Sequence, residues 1–316
     1  MDYIPLEKPI ADLEVKIEEL KRLAASQAID LDKEIRELET KATTLRDDLF
    51  AKLTQHEIAQ LSRHPKRPTS LDVFARITDT FIELHGDRNF LDDPAIVAGL
   101  AKIGGHSCIV IGHQKGRSTK DNIVRNFGMP RPEGYRKALR LMSLAERFRL
   151  PVVTLIDTPG AYPGVDAEQR GQSEAIAKNI LVMSRLRVPI VSIVVGEGGS
   201  GGALAIAVAN RIHMLEYATY SVISPEGCAS ILMKDAGRAP EAAESLKLTA
   251  QYALKLGIID SIIPEPPGGA HRDFDATTVA IRAVILRELD DMRDWAPEKI
   301  RKHRYDKFMA MGMVTE

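Results

Sequence analysis

Two glycine-rich stretches place backbone amides where they could do chemistry. Loop A is Asp157–Gly164, with the sequence DTPGAYPG, and loop B is Gly196–Ala203, with the sequence GEGGSGGA. Each loop follows an apolar run typical of a buried strand and precedes a helical pattern, so each can present unpaired helix N-terminal amides. Glycine lets such a backbone approach a reacting oxygen, and each aligned donor typically contributes about 3–4 kcal/mol to stabilising an oxyanion. We predict that the amides of Gly201 and Gly202 form an oxyanion hole, with Gly160 and Ala161 as supporting donors or pocket wall.

Loop B also matches the patterns of other kinds of site. Gly196–Gly201 fits GxGxxG, and Glu216 follows about 20 residues later, as in a Rossmann-type dinucleotide-binding enzyme. The helix predicted after this motif is short, and a lone GxGxxG is a weak signal. Ser200 could instead be a nucleophile, although no partner base is evident from the sequence. Finally, the glycines could serve only to let a helix pack closely on a sheet.

The composition argues for a globular protein without a strong global charge. The chain has 316 residues, 44% of them hydrophobic, and its 43 Lys plus Arg against 44 Asp plus Glu leave a formal net charge of −1. That length allows one sizeable core, and the charge balance favours neither nucleic acid nor an anionic membrane as partner. With Cys108 and Cys228 as the only cysteines, we expect no disulfide framework and no metal site. So few cysteines fit a reducing compartment, and we expect a cytoplasmic protein. No apolar run approaches the roughly 20 residues of a membrane span, so neither secretion nor membrane insertion is indicated.

From Leu71 onward, short apolar runs alternate with helical patterns. The runs predict strands at Ala95–Ile103, Ser107–Gly112, Val152–Ile156, Ile190–Val195 and Ile212–Leu215. Helices are predicted near Arg136–Arg149, Ala167–Ser184, Gly201–Ala209, Ala242–Lys255 and Thr277–Asp291. This alternation predicts an α/β core with a buried, largely parallel sheet, and it places both glycine loops at strand ends.

The first part of the chain has a different pattern, with apolar residues at helical spacing between Leu13 and Leu53. The heptad step slips near Ala28, which favours a helical hairpin over one long helix. The stretch HPKRPTS, at residues 64–70, contains two prolines and predicts a boundary. We therefore expect a helical extension at residues 1–66 and an α/β domain at residues 67–316.

Several motifs together resemble one known family. They are GHQKGR at residues 112–117, NFGMPRPEGYRKALR at 126–140, loop A, GQSE at 171–174, loop B and SVISPEGC at 221–228. In combination they are similar to the carboxyltransferase alpha subunit family of bacterial and plastid multisubunit acetyl-CoA carboxylases. The resemblance covers nearly the whole chain, and the glycine motifs show no departure from the family pattern.

The resemblance implies a fold and an activity. The fold would be crotonase-like, with repeated β-β-α units and an N-terminal helical hairpin extension. The activity would be transfer of a carboxyl group from carboxybiotin to acetyl-CoA, giving malonyl-CoA for fatty acid synthesis. Since serine peptidases share this architecture, a crotonase-fold peptidase using Ser200 stays an alternative.

The resemblance also implies partners and cofactors. A beta subunit would complete an α2β2 carboxyltransferase, and a biotin carboxyl carrier protein, loaded by biotin carboxylase, would deliver carboxybiotin. No cofactor would be bound covalently to this chain, and zinc would be carried only by the beta subunit.

Substrate contacts are expected beside the glycine loops and in a basic stretch between Lys115 and Arg140. CoA phosphates or an acidic carrier domain could dock on that basic stretch, although a solvated, ion-paired surface is the interpretation we favour. The residues predicted to bind substrate are Gly198, Gly199, Ser200, Tyr162, Arg117, Arg125 and Arg131.

Overall fold

A computed structural model describes residues 3–27 and 29–312. The chain begins with a 3-10 turn, Pro5–Glu7, followed by helices α1, Lys8–Gln27, and α2, Asp32–Phe50. The two helices pack against each other around Ile17, Ile35 and Ala42. The predicted hairpin is therefore confirmed, although Ala28, where its heptad slips, lies outside the described residues.

Within the described residues, eight strands form one mixed sheet in the order β1-β2-β3-β4-β5-β6-β8, and β7 pairs with the end of β5. The pairs β1–β2 and β2–β3 are antiparallel, and the remaining pairs are parallel. Since β4 and β5 are parallel neighbours, loops A and B leave the same edge of the sheet side by side. The strands are β1 Thr80–Glu83, β2 Ile96–Ile103, β3 His106–His113, β4 Val152–Thr158, β5 Ile190–Gly199, β6 Arg211–Leu215, β7 Thr219–Ser221 and β8 Ser261–Ile263.

Helices α4, α6, α9, α12 and α13 contact the strands and bury an apolar core in which β4 is covered along its whole length. Two N-terminal helices start at capping boxes, in which Thr54 pairs with Glu57 and Thr69 pairs with Asp72. The helices after the hairpin are α3 Gln55–Ser62, α4 Ser70–Ile77, α5 Thr119–Val124, α6 Pro132–Phe148, α7 Val165–Gln169, α8 Gln172–Arg185, α9 Ser200–Leu204, α10 Pro225–Cys228, α11 Ala239–Leu246, α12 Ala250–Lys255, α13 Phe274–Asp291 and α14 Pro297–Met309.

Three predicted helices were wrong in extent. The helix predicted at Ala167–Ser184 is two helices, because Gly171 between them has a left-handed φ of 81°. That predicted at Ala242–Lys255 is also divided, at Lys247, whose φ is 51°. The helix predicted at Gly201–Ala209 ends at Leu204, because the apolar residues after it continue as buried turns.

Residues just before the predicted boundary at 66 contact the core. Helix α3 packs on β5 and α11, and Arg63 at its end pairs with Glu197 of β5. Immediately after the boundary, Arg67 pairs with the buried Glu265 at 2.6 Å and donates twice to the carbonyl of Val195. The α1–α2 hairpin is thus the part with fewer core contacts, and α3 is integrated into the sheet domain.

Two truncations should separate these roles. A chain beginning at residue 53 keeps α3 and Arg63 but loses the contacts of Glu7 with His271 and Arg272, so we expect it to unfold in a single transition moderately below that of the full chain. A chain beginning at residue 67 loses the Arg63–Glu197 pair and the α3 contacts, which should cost roughly 3–5 kcal/mol and lower Tm by about 10 °C. Thermal unfolding followed by circular dichroism measures both, and equal Tm values for the two truncations would contradict this expectation.

Within residues 3–27 and 29–312, every helix is too short or too polar to cross a lipid bilayer.

Candidate functional site

The two glycine loops are in direct contact. A Cβ added to Gly202 in loop B would lie 2.5 Å from the Gly160 carbonyl carbon and 2.5 Å from the Ala161 nitrogen in loop A. Likewise, a Cβ at Gly199 would lie 2.2 Å from the carbonyl oxygen of Pro159. These two glycines therefore allow backbone to pack on backbone, and the four residues predicted for catalysis are brought together.

Loop B presents amides without helical partners. Helix α9 starts at Ser200, and its N-cap, Gly199, has no side chain with which to cap it. The first amides of a helix have no intrahelical acceptor, which applies to those of Ser200, Gly201 and Gly202. Ser200 is exposed and Gly201 half-buried, whereas Gly202 is buried against loop A. Ser200 has a left-handed φ of 54°, which orients this first turn. Gly201 is open, because a Cβ there would meet only Ile176, at 3.6 Å.

Loop A contributes one amide more readily than the other. The Gly160 amide donates to the Thr158 hydroxyl at 3.1 Å, and that hydroxyl donates back to the Gly160 carbonyl at 2.7 Å. Among the described residues, no acceptor is bonded to the amide of Ala161, which is next to Gly202. The geometry therefore makes Ala161 the better donor and Gly160 a residue that shapes the loop.

A cleft of about 490 Å³ opens beside loop B and is lined mainly by apolar side chains. Ser200, Gly201 and Leu204 form one wall, whereas Phe308 on α14 and Met311 just after that helix contribute to another. Such a cleft suits a largely apolar group whose polar atoms reach the amides of α9.

Predicted residues next to loop A take up positions around Tyr162. Its ring lies 4.7 Å from the guanidinium of Arg131, and its amide donates to the carbonyl of Pro130. Gln172 donates to both the Pro130 and Tyr162 carbonyls, which fixes the loop to α8. Tyr162 and Arg131 therefore lie together at loop A, and their contact with substrate stays a prediction.

The other two predicted arginines have protein partners. Arg117 donates to the carbonyls of Pro65 and Arg67 and pairs with Asp72, which ties it to the α3–α4 connection. Arg125 donates to Asp121 and to the carbonyl of Pro94. Their guanidinium groups are thus held by the protein's own acceptors, and their binding of substrate stays a prediction.

A buried charge cluster underlies both loops and was missed as a unit from the sequence. Lys115 lies 2.7 Å from Asp157 and 2.9 Å from Glu197, and Arg63 lies 2.5 Å from Glu197. Lys115 begins the stretch that the sequence predicts as a basic surface, but its ammonium points inward to these carboxylates. A signal was present in the sequence, because Asp157 and Glu197 are carboxylates at the ends of apolar strands, where an unpaired charge is costly.

His113 lies beneath the loops at the end of β3 and is completely buried. Burial lowers its pKa to about 3, so the ring is neutral at physiological pH. The ring faces the backbone of Gly202 and Leu155, which opposes the effect of burial, but neither ring nitrogen reaches hydrogen-bonding geometry. A neutral ring of this kind supports α9 by packing.

One cluster has the residue types of a metal site. Glu7, His64 and His271 bring ligand atoms within 4.8 Å of one another, and the imidazoles stack at 3.9 Å. However, Nδ1 of His64 accepts the amide hydrogen of Lys66, so its proton resides on Nε2, 3.1 Å from Glu7. Since Glu7 also pairs with His271 and Arg272, we assign this cluster to anchoring the N-terminal segment.

Comparison with known proteins places this site in context. A family model described as acetyl co-enzyme A carboxylase carboxyltransferase-like matches residues 3–312. The acetyl-coenzyme A carboxylase carboxyl transferase subunit alpha of Aromatoleum aromaticum is 56% identical over 314 residues, which cover 99% of this chain and 98% of that protein.

Two solved structures with a similar fold are of longer chains. Transcarboxylase 12S, with hydrolysed methylmalonyl-coenzyme A bound, matches with a TM-score of 0.59 and 21% identity over 75% of this chain and 44% of its own. The beta subunit of P. aeruginosa geranyl-CoA carboxylase matches with a TM-score of 0.55 and 20% identity over 84% of this chain and 47% of its own. This chain thus spans less than half of either one, and the likeness confirms the predicted crotonase-like fold. By its full-length match to the family model and to its relative, the chain belongs to the acetyl-coenzyme A carboxylase carboxyltransferase subunit alpha family.

Proposed function

We propose that this chain is the alpha subunit of an acetyl-CoA carboxyltransferase. With a beta subunit, it would move the carboxyl group of carboxybiotin to acetyl-CoA and release malonyl-CoA for fatty acid synthesis. The observation that carries this proposal is the contact between loops A and B, which places Ala161 against Gly202, next to Gly201 on the wall of an apolar cleft. The family membership supports the choice of substrates.

Backbone amides suit the charge that this reaction develops. As the carboxyl group leaves biotin, the ureido oxygen takes on negative charge, and the thioester oxygen of acetyl-CoA does so when its methyl group loses a proton. Amides held rigidly by glycine packing stabilise such oxyanions without reorganising. The released biotin anion can itself accept the methyl proton, so the protein needs to supply neither a nucleophile nor a base.

We assign the biotin side of the reaction to this chain and most of the CoA contacts to the beta subunit. The cleft beside α9 is open to solvent, and Val222 on its wall is 77% exposed, so a second subunit is needed to exclude water. We further propose an α2β2 assembly in the cytoplasm, with a biotin carboxyl carrier protein and biotin carboxylase as further partners. No cofactor would be attached covalently to this chain, and zinc would belong to the beta subunit.

The alternative functions fit the geometry less well. In a dinucleotide site, the glycines of GxGxxG leave room for a pyrophosphate and open a long helix. Here the space beside Gly196 holds Asp157, that beside Gly198 holds Tyr220, and α9 ends at Leu204. A peptidase would need a base near Ser200, but within the described residues the Ser200 hydroxyl has no hydrogen-bond partner.

Reconstitution tests the proposed function. The chain co-expressed with its beta subunit should catalyse carboxylation of free biotin that depends on malonyl-CoA, which is the reverse reaction. The chain purified alone should show no turnover, because the cleft is then incomplete. Coupled detection of acetyl-CoA release measures both samples. Full activity of the chain alone, or none in the assembled complex, would contradict the proposal.

A further inference from the structure

Lys115 bonds to both glycine loops at once. Its ammonium lies 2.7 Å from Oδ1 of Asp157, which is in loop A just before Thr158, and 2.9 Å from Oε2 of Glu197 in loop B. The same Oδ1 of Asp157 accepts the amide hydrogen of Glu197 at 3.0 Å. A three-way contact therefore joins the two loops immediately before their amide-bearing residues.

This contact lies where the sheet itself stops fixing the two strands. Ile156 of β4 pairs with Val194 of β5, but the next pair is Thr158 with Gly198, so β5 gains residues relative to β4. Regular ladder bonds are lost at such an irregularity. At this point the two strands are therefore joined by side chains in place of regular ladder bonds, and Lys115 supplies the cation that holds these side chains together.

Neighbouring glycines make room for the contact. A Cβ at Gly196 would lie 2.4 Å from Oδ1 of Asp157, and a Cβ at Gly128 would lie 2.7 Å from Cγ of Lys115. The carboxylate of Asp157 and the aliphatic part of Lys115 thus occupy space that a side chain at Gly196 or Gly128 would need. Both Asp157 and Lys115 are therefore closely packed against backbone.

The three charged groups are largely buried, so each one needs an oppositely charged partner. The side chains of Asp157 and Glu197 are 7% and 11% exposed, and that of Lys115 is 21% exposed. Burial raises the pKa of Glu197, but Lys115 and Arg63 outweigh that effect and lower it overall. For Lys115, burial lowers the pKa, and the two carboxylates more than reverse this. Removing the ammonium would leave Asp157 beside Glu197 with no cation between them, and Arg63 would remain as the partner of Glu197 alone.

We propose that Lys115 is a positioning residue, which sets the spacing between the Ala161 amide of loop A and the Gly201 amide of loop B. This rests on the proposed two-loop site. The lysine does not touch substrate. It acts through Asp157 and Glu197, and the amides are aligned for the oxyanion only while both carboxylates are bonded to it.

The test compares Lys115→Met with Lys120→Met in the assembled complex. Methionine keeps the length of the stem and removes the charge, so the loops should separate and kcat should fall about 10- to 100-fold, as expected for a small misplacement of catalytic groups. KM for malonyl-CoA should change little, because most CoA contacts are assigned to the other subunit. Lys120 lies on α5 and is exposed, so its variant should match wild type.

Normalising the rates to assembled complex, measured by size-exclusion chromatography, separates misplacement from loss of fold. Lys115→Arg keeps a cation and should recover part of kcat. Wild-type kcat in an assembled Lys115→Met complex would overturn the proposal, as would a rise in KM alone. If Lys115→Met does not assemble, Asp157→Asn decides, because it weakens the bond between Lys115 and loop A and keeps the size of the side chain. Unchanged kcat there would also overturn it. Absence of turnover in wild type would instead contradict the proposed function.

Discussion

Replacing Gly201 by valine is expected to lower carboxyl transfer by about 10²- to 10³-fold, the typical effect of losing one oxyanion donor. A Cβ at this position meets only Ile176, at 3.6 Å, so the backbone of α9 has room to keep its path. The branched side chain would stand beside the free amides at the cleft wall and obstruct the approach of the oxygen. The rate of malonyl-CoA-dependent biotin carboxylation, per assembled complex, measures the effect.

Two further variants define what the Gly201 result means. Ser200→Ala removes a neighbouring hydroxyl and leaves the amides in place, so carboxyl transfer should stay close to wild type; its loss would favour a serine nucleophile. Gly202 is unsuitable for this purpose, since a Cβ there would lie 2.5 Å from loop A and force the loops apart. Near wild-type turnover by an assembled Gly201→Val complex would show that the glycines serve packing alone.

Replacing Arg304 by leucine is expected to lower the free energy of unfolding by about 3–5 kcal/mol, because several buried acceptors lose their donor. Arg304 on α14 is completely buried, and burial lowers its pKa to about 9. It donates at 2.7 Å to the carbonyls of Met183 and Leu186, at 2.8 Å to that of Val188, and at 2.6 Å to the side chain of Asn210. These four bonds attach α14 to the sheet domain.

Thermal unfolding should show a fall in Tm of roughly 5–10 °C for Arg304→Leu. The backbone amides of α14 should exchange their hydrogens faster, because the helix has lost its attachment to the sheet domain. The matched control is Arg301→Leu on the same helix, where the side chain is 53% exposed and pairs only with nearby Glu298. A Tm for Arg304→Leu equal to that of the control would refute the attachment role.

Features carried by local sequence were predictable. The glycines of loops A and B, each after an apolar strand, predicted that two amide sources meet at one edge of the sheet. The slip near Ala28 predicted the hairpin. In both cases the deciding pattern is a few residues long, and the physical cause is local: free amides at a helix start, or an apolar stripe that changes face.

Features that depend on residues distant in the sequence could not be predicted. Lys115 and Glu197 are 82 residues apart, and the sequence around the lysine reads as a basic surface. The strands β1, β7 and β8 have only three or four residues each, too few to establish a period. Helix α9 was overextended because residues 205–209, AIAVA, are apolar in helix and turn alike.

The pairing of early with late residues has a consequence for synthesis. Arg67 pairs with Glu265, 198 residues later in the sequence, and Glu7 pairs with His271, 264 residues later. At about 5–20 residues per second, Arg67 waits roughly 10–40 s on the ribosome for its partner. During that time the paired helices α1 and α2 are already made, whereas the sheet lacks its last strand. A nascent chain that stopped before residue 265 would therefore leave the guanidinium of Arg67 without its carboxylate partner. Such a chain would be a substrate for the proteases and chaperones that act on incompletely folded proteins.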